Sequence, residues 1–384
     1  MESRKRILII YVDAGAGHKS YSQAIRTGIE TLYPGKYRIR EMDYIKELGP
    51  ASVDRWHKNI WNFCLKHPNV GRFIYFCMES FQSLEQAIEV KLVEKLIKNS
   101  VNFIREYKPD IIIAPHPHTL NVAVITNRLL GMKIPVIGID IEPFEGGAVY
   151  DHPGADKIIV FSEIAKRKLI KRGVPEEKLP IFDFIINPMF LKKYDSPDVI
   201  KNRLGLETGK FTIVMSSGGE GIGNLGKYIR STIRHNLPVQ LAVITGRNAR
   251  LKQILENIRV PAGSRTTLKI FGFTDEICDF FQVADLLFGK GGACTTIESL
   301  FMRKPVMFYR FVSGNERQSV TFVKNNKLGW YVPTSRGYIK QLRQILENPE
   351  ILEAIQKKYE KYNFKSGTEN LSRFIVEQLE ARTI

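Results

Sequence analysis

The sequence is poor in cysteine, and its cysteines are not arranged in pairs. They stand at positions 64, 77, 278 and 294, without the C-x-x-C spacing that marks a zinc site. The closest histidines, His116 and His118, are separated by a proline and have no cysteine nearby. We therefore expect reduced thiols, as in a cytosolic protein, and no metal site.

The sequence also lacks a long apolar run. The first run, Ile7–Val12, is much shorter than the ~20 residues that span a bilayer. It is also too short for the core of a signal peptide, and it leads straight into a glycine-containing turn. We therefore predict that this run is a buried first strand. We expect a cytoplasmic protein.

Acidic side chains are in deficit. Asp and Glu number 40 against 57 Lys and Arg, which gives a formal net charge of +17. This balance favours an anionic partner: nucleic acid, an anionic membrane surface or a phosphorylated substrate. A solvated basic surface is the simpler alternative. Because no RNA-recognition or zinc-finger signature is present, we expect no nucleic-acid partner and favour peripheral attachment to the inner face of the cell membrane.

One glycine-rich stretch has the features of a phosphate-binding turn. An apolar run, Ala284–Phe288, is followed by Gly291 and Gly292 and then by a predicted helix. Glycines let the backbone approach a ligand, and the helix N-terminus offers N–H groups and the positive end of its dipole. Thr295 and Thr296 provide hydroxyls at this turn. Glu298 is the acidic residue in the first turn of the predicted helix. The alternative is a glycine turn with a threonine N-cap and a favourably placed glutamate.

The first predicted strand ends in a related turn. Residues 13–20 contain Gly15, Gly17 and His18, and a helical pattern follows from Tyr21 to Leu32. The third glycine of a dinucleotide-binding fingerprint is missing. A histidine at the carboxyl end of a strand lies where open α/β sheets bind ligands, so His18 is a catalytic candidate. The alternative is a helix-entry residue hydrogen-bonded to the backbone.

Strands and helices alternate along most of the chain, which predicts parallel sheets covered by helices. A chain of 384 residues is also long for one core. We predict an α/β fold of two Rossmann-like domains facing a cleft. The N-terminal domain takes residues 1–187, and the C-terminal domain takes 188–367. A C-terminal helix, 368–384, is expected to cross back to the first domain.

Residues 51–83 differ from the rest of the chain. Aromatic side chains, including Trp56 and Trp61, are interleaved with basic ones. This mixture suits a membrane interface, where rings sit at headgroup depth and cations meet anionic lipid. The alternative is a helical insertion that packs on its own domain. The basic residues are Arg55, Lys58, Lys66 and Arg72.

Taken together, the turns resemble those of the monogalactosyldiacylglycerol synthase and processive diacylglycerol glucosyltransferase family. These are inverting GT-B glycosyltransferases of family twenty-eight, related to the peptidoglycan N-acetylglucosaminyltransferase. Asp13–His18 resembles the family's D-x-G-G-G-H turn, and residues 217–223 are similar to its G-G-G-E-G-M-G loop. Residues 246–248 match G-R-N, Lys290–Glu298 resembles K-x-G-x-x-T-x-x-E, and residues 314–316 resemble G-Q-E.

The resemblance implies an enzyme that transfers a hexose, glucose or galactose, from a UDP-sugar to diacylglycerol or a glycosyl-diacylglycerol without a metal cofactor. His18 and Asp140 are the candidate bases. The implied donor site consists of Gly218, Gly219, Glu220, Gly221, Arg247, Phe273, Gly291, Gly292, Thr295, Thr296, Glu298, Asn315 and Glu316. The implied acceptor and membrane site consists of Gly15, Gly17, Trp56, Trp61 and His116.

The chain departs from the family pattern after Asp140. The family's acceptor loop usually carries His and Trp there, whereas this chain has Glu142–Gly147, with Tyr150 near the Trp position. This departure keeps open transfer of N-acetylglucosamine to a different lipid acceptor. A third alternative is a regulator that binds nucleotide sugar and membrane without turnover. The sugar, the number of sugars added and the oligomeric state are not specified by these patterns.

Overall fold

A computed structural model describes residues 4–13, 16–51, 55, 59, 63, 70, 82–144, 146, 150–216, 218–219, 221, 223–311 and 314–381. These residues form two compact units. The first unit draws on residues 1–188, 313–315 and 365–384, and the second on 189–312 and 316–364. Among the described residues, no helix combines the length and apolar character needed to cross a bilayer.

The sheet of the first unit is parallel. Its strand order within the described residues is β2-β1-β3-β4-β5. In the interior strand β1, Ile7 to Ile10 are fully buried because helices cover both faces of such a sheet. In the edge strand β2, exposed and half-buried positions alternate over the first four residues, and Met42 and Asp43 are buried. The strands are β1 Arg6–Tyr11, β2 Arg38–Asp43, β3 Ile111–Ala114, β4 Val136–Ile139 and β5 Lys157–Ile159.

Two helices of the first unit begin after residue types that cap helices well. Asp43 accepts a hydrogen bond from the amide of Lys46, and Ser162 accepts one from the amide of Ala165. The first helix begins at Ala16, five residues before the predicted Tyr21, so His18 lies in its first turn. The helices are α1 Ala16–Leu32, α2 Tyr44–Leu48, α3 Gln82–Tyr107, α4 Pro117–Leu129 and α5 Glu163–Lys171.

The second unit also has a parallel sheet. Its order within the described residues is β11-β10-β9-β6-β7-β8. The strands are β6 Phe211–Ser216, β7 Val239–Ile244, β8 Thr267–Phe271, β9 Leu286–Lys290, β10 Val306–Arg310 and β11 Gly329–Tyr331. The helices in this part of the chain are α6 Pro197–Leu204, α7 Gly226–Arg234, α8 Ala249–Glu256, α9 Ile277–Val283, α10 Ala293–Phe301, α11 Gly314–Asn325, α12 Ser335–Glu347 and α13 Glu350–Tyr362.

An aromatic cluster forms the centre of the second unit's core. The Phe288 ring in β9 stacks on Tyr309 with centroids 5.3 Å apart. It also meets Tyr228 and Tyr338 edge-on, with centroids 4.8 Å away in each case. All four rings are buried. This packing fixes β9, and with it the glycine turn that follows.

The last helix, α14 (Thr368–Glu380), packs on α1 within the first unit. The two helices meet closely, since a Cβ added at Gly28 would lie 2.4 Å from Ser372 Oγ. The Thr368 hydroxyl donates to the carbonyl of Ile186 at 2.9 Å. At the other end of the helix, the Glu380 carboxylate accepts from the Tyr37 hydroxyl at 2.7 Å. Residues 368–380 are therefore an integral part of this unit.

Candidate functional site

The turn between β9 and α10 is built for close approach of a ligand to the backbone. A Cβ added at Gly291 would lie 2.2 Å from Val320 Cγ2, so only a glycine fits without movement. Gly292 is the N-cap of α10 and has no side chain with which to cap the helix. The amides of a first helical turn have no partner within the helix itself, and they attract anions. The turn can therefore hold a phosphate group.

The adjacent threonines of α10 have different surroundings. The Thr296 hydroxyl is fully buried and donates to the Gly292 carbonyl at 2.8 Å. Thr295 is partly exposed. The proton of the Thr296 hydroxyl is thus directed to the turn itself, whereas the Thr295 side chain reaches the surface.

Glu298 lies one turn further along α10 and not in the first turn, as was predicted, because the helix already begins at Ala293. Its carboxyl is only partly exposed, and burial raises the pKa of this group from its ordinary 4.5 to about 7. A poorly hydrated carboxylate gains from hydroxyl donors that replace the missing water. The position and the environment of Glu298 suit a ribose with neighbouring hydroxyls.

An ion pair borders the same turn. The Lys290 ammonium at the end of β9 contacts the Glu316 carboxylate in the first turn of α11, and Glu316 is only 8% exposed. A Cβ added at Gly292 would lie 3.9 Å from Glu316 Oε1 and 4.0 Å from Lys290 Nζ. The sequence motifs predict a donor-binding role for Glu316 but none for Lys290. The signal available was its place as the first residue of the K-x-G pattern.

The turns that follow β6 and β7 interlock. Gly221 has φ +58°, and a Cβ there would lie 2.0 Å from the Thr245 carbonyl oxygen. The Arg247 amide donates to the Gly219 carbonyl at 2.8 Å, and Asn248 Nδ2 donates to the Gly221 carbonyl at 3.1 Å. The predicted Gly218–Gly221 loop and the G-R-N turn therefore form one structural element.

Arg247 and Phe273 form a flat surface near the carboxyl ends of β7 and β8. The guanidinium lies over the Phe273 ring, 4.6 Å from its centroid. Both side chains are exposed, and the ring is 50% exposed. A stacked guanidinium and ring offer the kind of planar face on which an aromatic base can lie.

In the first unit, the His18 ring is held in a defined tautomer. Its Nδ1 lies 2.8 Å from the carbonyl oxygen of Pro115. Because a carbonyl oxygen only accepts, Nδ1 carries the proton in the neutral ring, and Nε2 carries the lone pair. The hydroxyl of Tyr150, which is buried, donates to the same oxygen at 3.2 Å. The geometry gives His18 the tautomer that a general base requires.

His116 and His118 lie beside His18. The His116 ring centroid is 4.3 Å from that of His18 and 5.0 Å from that of His118. His116 is 5% exposed, and its Nδ1 accepts from the His118 amide at 3.1 Å, which caps α4. The neutral His116 ring therefore carries its proton on Nε2. Within the described part of the chain, no group of three or more His, Cys, Asp or Glu side chains is placed to hold a metal.

Asp140 is fully buried at the end of β4. Its Oδ1 accepts from the Glu142 amide at 3.0 Å. The following loop packs tightly against it, since a Cβ at Gly146 would lie 2.9 Å from Asp140 Oδ2. Asp140 is therefore less accessible than the partly exposed His18.

Some predicted site residues lie outside the described part of the chain: Gly15, Trp56, Trp61 and Glu220. Asn315 lies in the first turn of α11, but its side chain is outside the description. Gly17 lies in the first turn of α1 and is partly exposed. Most of the aromatic stretch 51–83 is also undescribed, although the side chain of Phe63 is 48% exposed.

This chain is similar in sequence to several known proteins. The sequence profile described as "Monogalactosyldiacylglycerol (MGDG) synthase" matches residues 18–184. The chain is 25% identical over 340 residues to monogalactosyldiacylglycerol synthase 2, chloroplastic, of Arabidopsis thaliana, covering 85% of this chain and 71% of that protein. It is 22% identical over 389 residues to the processive diacylglycerol beta-glucosyltransferase of Bacillus subtilis (strain 168), covering 100% of this chain and 98% of that protein.

The resemblance to the monogalactosyldiacylglycerol synthase and processive diacylglycerol glucosyltransferase family is confirmed. Among solved structures, the chain is similar to MurG of Acinetobacter baumannii, with a TM-score of 0.60 and 13% identity over 97% of this chain and 99% of that chain. At this identity the likeness concerns the fold. The predicted α/β class, with two Rossmann-like domains of the GT-B type, is confirmed.

Proposed function

We propose that this protein is a glycosyltransferase that moves a hexose from a UDP-sugar to diacylglycerol or a glycosyl-diacylglycerol, with inversion at the anomeric carbon. The names of its relatives, a monogalactosyldiacylglycerol synthase and a diacylglycerol beta-glucosyltransferase, support a hexose as the transferred group and diacylglycerol as the acceptor. The observation on the molecule that carries the proposal is the glycine turn at the N-terminus of α10, with Glu298 one turn further on. This arrangement suits a nucleoside diphosphate.

The donor would bind on the second unit. The diphosphate would lie against Gly291, Gly292 and the amides of α10, with the Thr295 hydroxyl beside it. Glu298 would accept from the ribose hydroxyls, and the uracil would lie near Phe273. The amides of α10, the Arg247 side chain and Lys290, which lies next to the glycine turn, would stabilise the negative charge on the departing UDP. We therefore propose no metal cofactor.

His18 would act as the general base. An acceptor hydroxyl within about 3 Å of Nε2 would pass its proton to that atom as its oxygen attacks the anomeric carbon. The Pro115 carbonyl would then hold the imidazolium by its Nδ1–H. Asp140 is the competing candidate, and its burial favours His18.

A water-insoluble acceptor requires access to a bilayer. We propose that the protein attaches peripherally to the anionic inner face of the cell membrane, supported by its net charge of +17. Electrostatic attachment of this kind weakens as salt is added. Nucleic acid is not a proposed partner.

One experiment tests the reaction and distinguishes the alternatives. The protein is incubated with UDP-glucose, UDP-galactose or UDP-N-acetylglucosamine and vesicles that contain diacylglycerol and phosphatidylglycerol, and the lipids are identified by mass. A hexosyl-diacylglycerol is the expected product. An N-acetylhexosamine product, or intact UDP binding without any product, would contradict the proposal and support one of the two alternatives.

A further inference from the structure

Helix α5 has an outer face that is both basic and apolar. Ile164 is 58% exposed and Ile170 is 37% exposed. Arg167 and Lys171, which lie one turn apart on the same face, are also exposed. Large aliphatic side chains at the surface of a helix need an explanation when they stand among cations.

The inner face of the same helix is packed on its own unit. Ala165 and Leu169 are buried there. The helix also holds the loop that follows Asp140: the Ser162 hydroxyl donates to the Phe144 carbonyl and Lys168 Nζ donates to the Gly146 carbonyl, each at 3.0 Å. The orientation of the outer face is thus fixed, and the helix that presents it contacts the loop after Asp140.

The charge balance of α5 is one-sided. Within Glu163–Lys171, four basic residues stand against the single acid Glu163. Lys166 reaches the Glu176 carboxylate at 2.9 Å on one flank, so it contributes less than its neighbours. The outward cations are Arg167 and Lys171, with Ile164 and Ile170 on either side of them.

We propose that the outer face of α5 is a membrane-binding surface that lies on anionic lipid headgroups. The cations would attract the headgroups, and the isoleucines would enter the boundary with the acyl chains, as on an interfacial amphipathic helix. Nucleic acid explains the cations but offers no place for exposed isoleucines. The inference rests on the proposed function, because a membrane-binding surface beside the Asp140 loop is useful to an enzyme whose acceptor is a lipid.

The test compares two double variants with the same charge change. Arg167→Gln with Lys171→Gln removes two cations spaced i, i+4 on α5. Lys357→Gln with Lys361→Gln removes two exposed cations with the same spacing on α13. Binding is measured by sedimentation with vesicles of phosphatidylcholine and phosphatidylglycerol in equal parts. At about 1 kcal/mol for each cation near an anionic surface, the α5 variant should lose roughly 25-fold in partitioning. The α13 variant should bind like the parent.

Two further variants separate the outcomes. Ile164→Ser should also weaken binding, whereas the exchange Arg167→Lys with Lys171→Arg should preserve it. The melting temperature reports the folding of the unit that contains α5, and it should remain that of the parent in every variant. Equal losses in the α5 and α13 variants would overturn the proposal, because binding would then follow net charge alone. A parent that does not bind these vesicles would also overturn it, whether or not the protein transfers sugar.

Discussion

Lys290 and Glu316 form an ion pair at the point where β9 gives way to α10. Glu316 is only 8% exposed, and the lysine places a positive charge beside its carboxylate. The pair lies beside Gly292, where we propose that the donor diphosphate binds. A carboxylate next to a diphosphate is unfavourable unless a cation stands between them.

The first prediction concerns this pair. Lys290→Met removes the cation between the Glu316 carboxylate and the diphosphate, so UDP affinity should fall by about 1.5–3 kcal/mol, the range for a hydrogen bond to a charged group. Lys340→Met, an exposed lysine on α12, is the control and should bind UDP normally. Adding Glu316→Gln to Lys290→Met should recover part of the loss. Calorimetry with UDP measures all three, and unchanged affinity for Lys290→Met would exclude its role.

The second prediction concerns Glu298 and stability. Because the pKa of its carboxyl rises from 4.5 to about 7 on folding, the folded protein keeps a proton that the unfolded chain releases in this interval. The free energy of unfolding therefore falls as the pH rises from 4.5 towards 7 through this group. Glu298→Gln removes the ionisation. Its melting temperature should therefore increase relative to that of the parent above pH 7 and not below pH 4.5.

The control for that measurement is Glu360→Gln, at an exposed position on α13. Its melting temperature should follow that of the parent across the same pH range. If the difference between Glu298→Gln and the parent does not change with pH, Glu298 is ionised normally in the folded protein.

The third prediction concerns the base. His18→Ala should lower kcat by roughly 10²–10⁴-fold, because the acceptor proton loses its recipient. UDP affinity should stay near that of the parent. His235→Ala is a matched control, since His235 Nδ1 also lies 2.8 Å from a backbone carbonyl, that of Ser231, but at the exposed end of α7. Near-normal turnover in His18→Ala would move the role to Asp140.

The fourth prediction concerns the glycine turn. Gly291→Ala places a Cβ 2.2 Å from Val320 Cγ2, so the turn must shift and UDP binding should weaken. Val320→Ala removes that methyl group, and the double variant should recover affinity. A coupling of about 0.5–3 kcal/mol is expected for residues in contact. Additive effects of the two substitutions would mean that the turn does not need this contact.

The sequence predicted the parts of the fold that depend on local pattern. The strand before the β9–α10 turn appears where the apolar run Ala284–Phe288 predicted it. The edge strand Arg38–Asp43 was not predicted, because its exposed positions carry charged residues and mask the strand pattern. Helix α1 begins earlier than predicted because glycine and histidine in its first turn are weak helix signals.

Contacts between distant residues could not be read from the pattern. Lys290 and Glu316 are 26 residues apart. Their pairing requires the start of α11 to lie next to the carboxyl end of β9. The tautomer of His18 depends on the Pro115 carbonyl, 97 residues away. Motifs identify which residue types are present, whereas the protonation and charge state of each side chain follow from neighbours that only the fold supplies.

The close contact of Gly28 with Ser372 has a consequence for biosynthesis. Helix α1 is made early on the ribosome, but the surface that it packs against belongs to α14, more than 300 residues later. The second unit has its own core within residues 189–364 and can close before α14 emerges. Part of α1 in the first unit therefore stays exposed until the ribosome has synthesised the whole of the second unit and then α14. Nascent chains halted before residue 368 should therefore be more dependent on chaperones in their N-terminal half than in their C-terminal half.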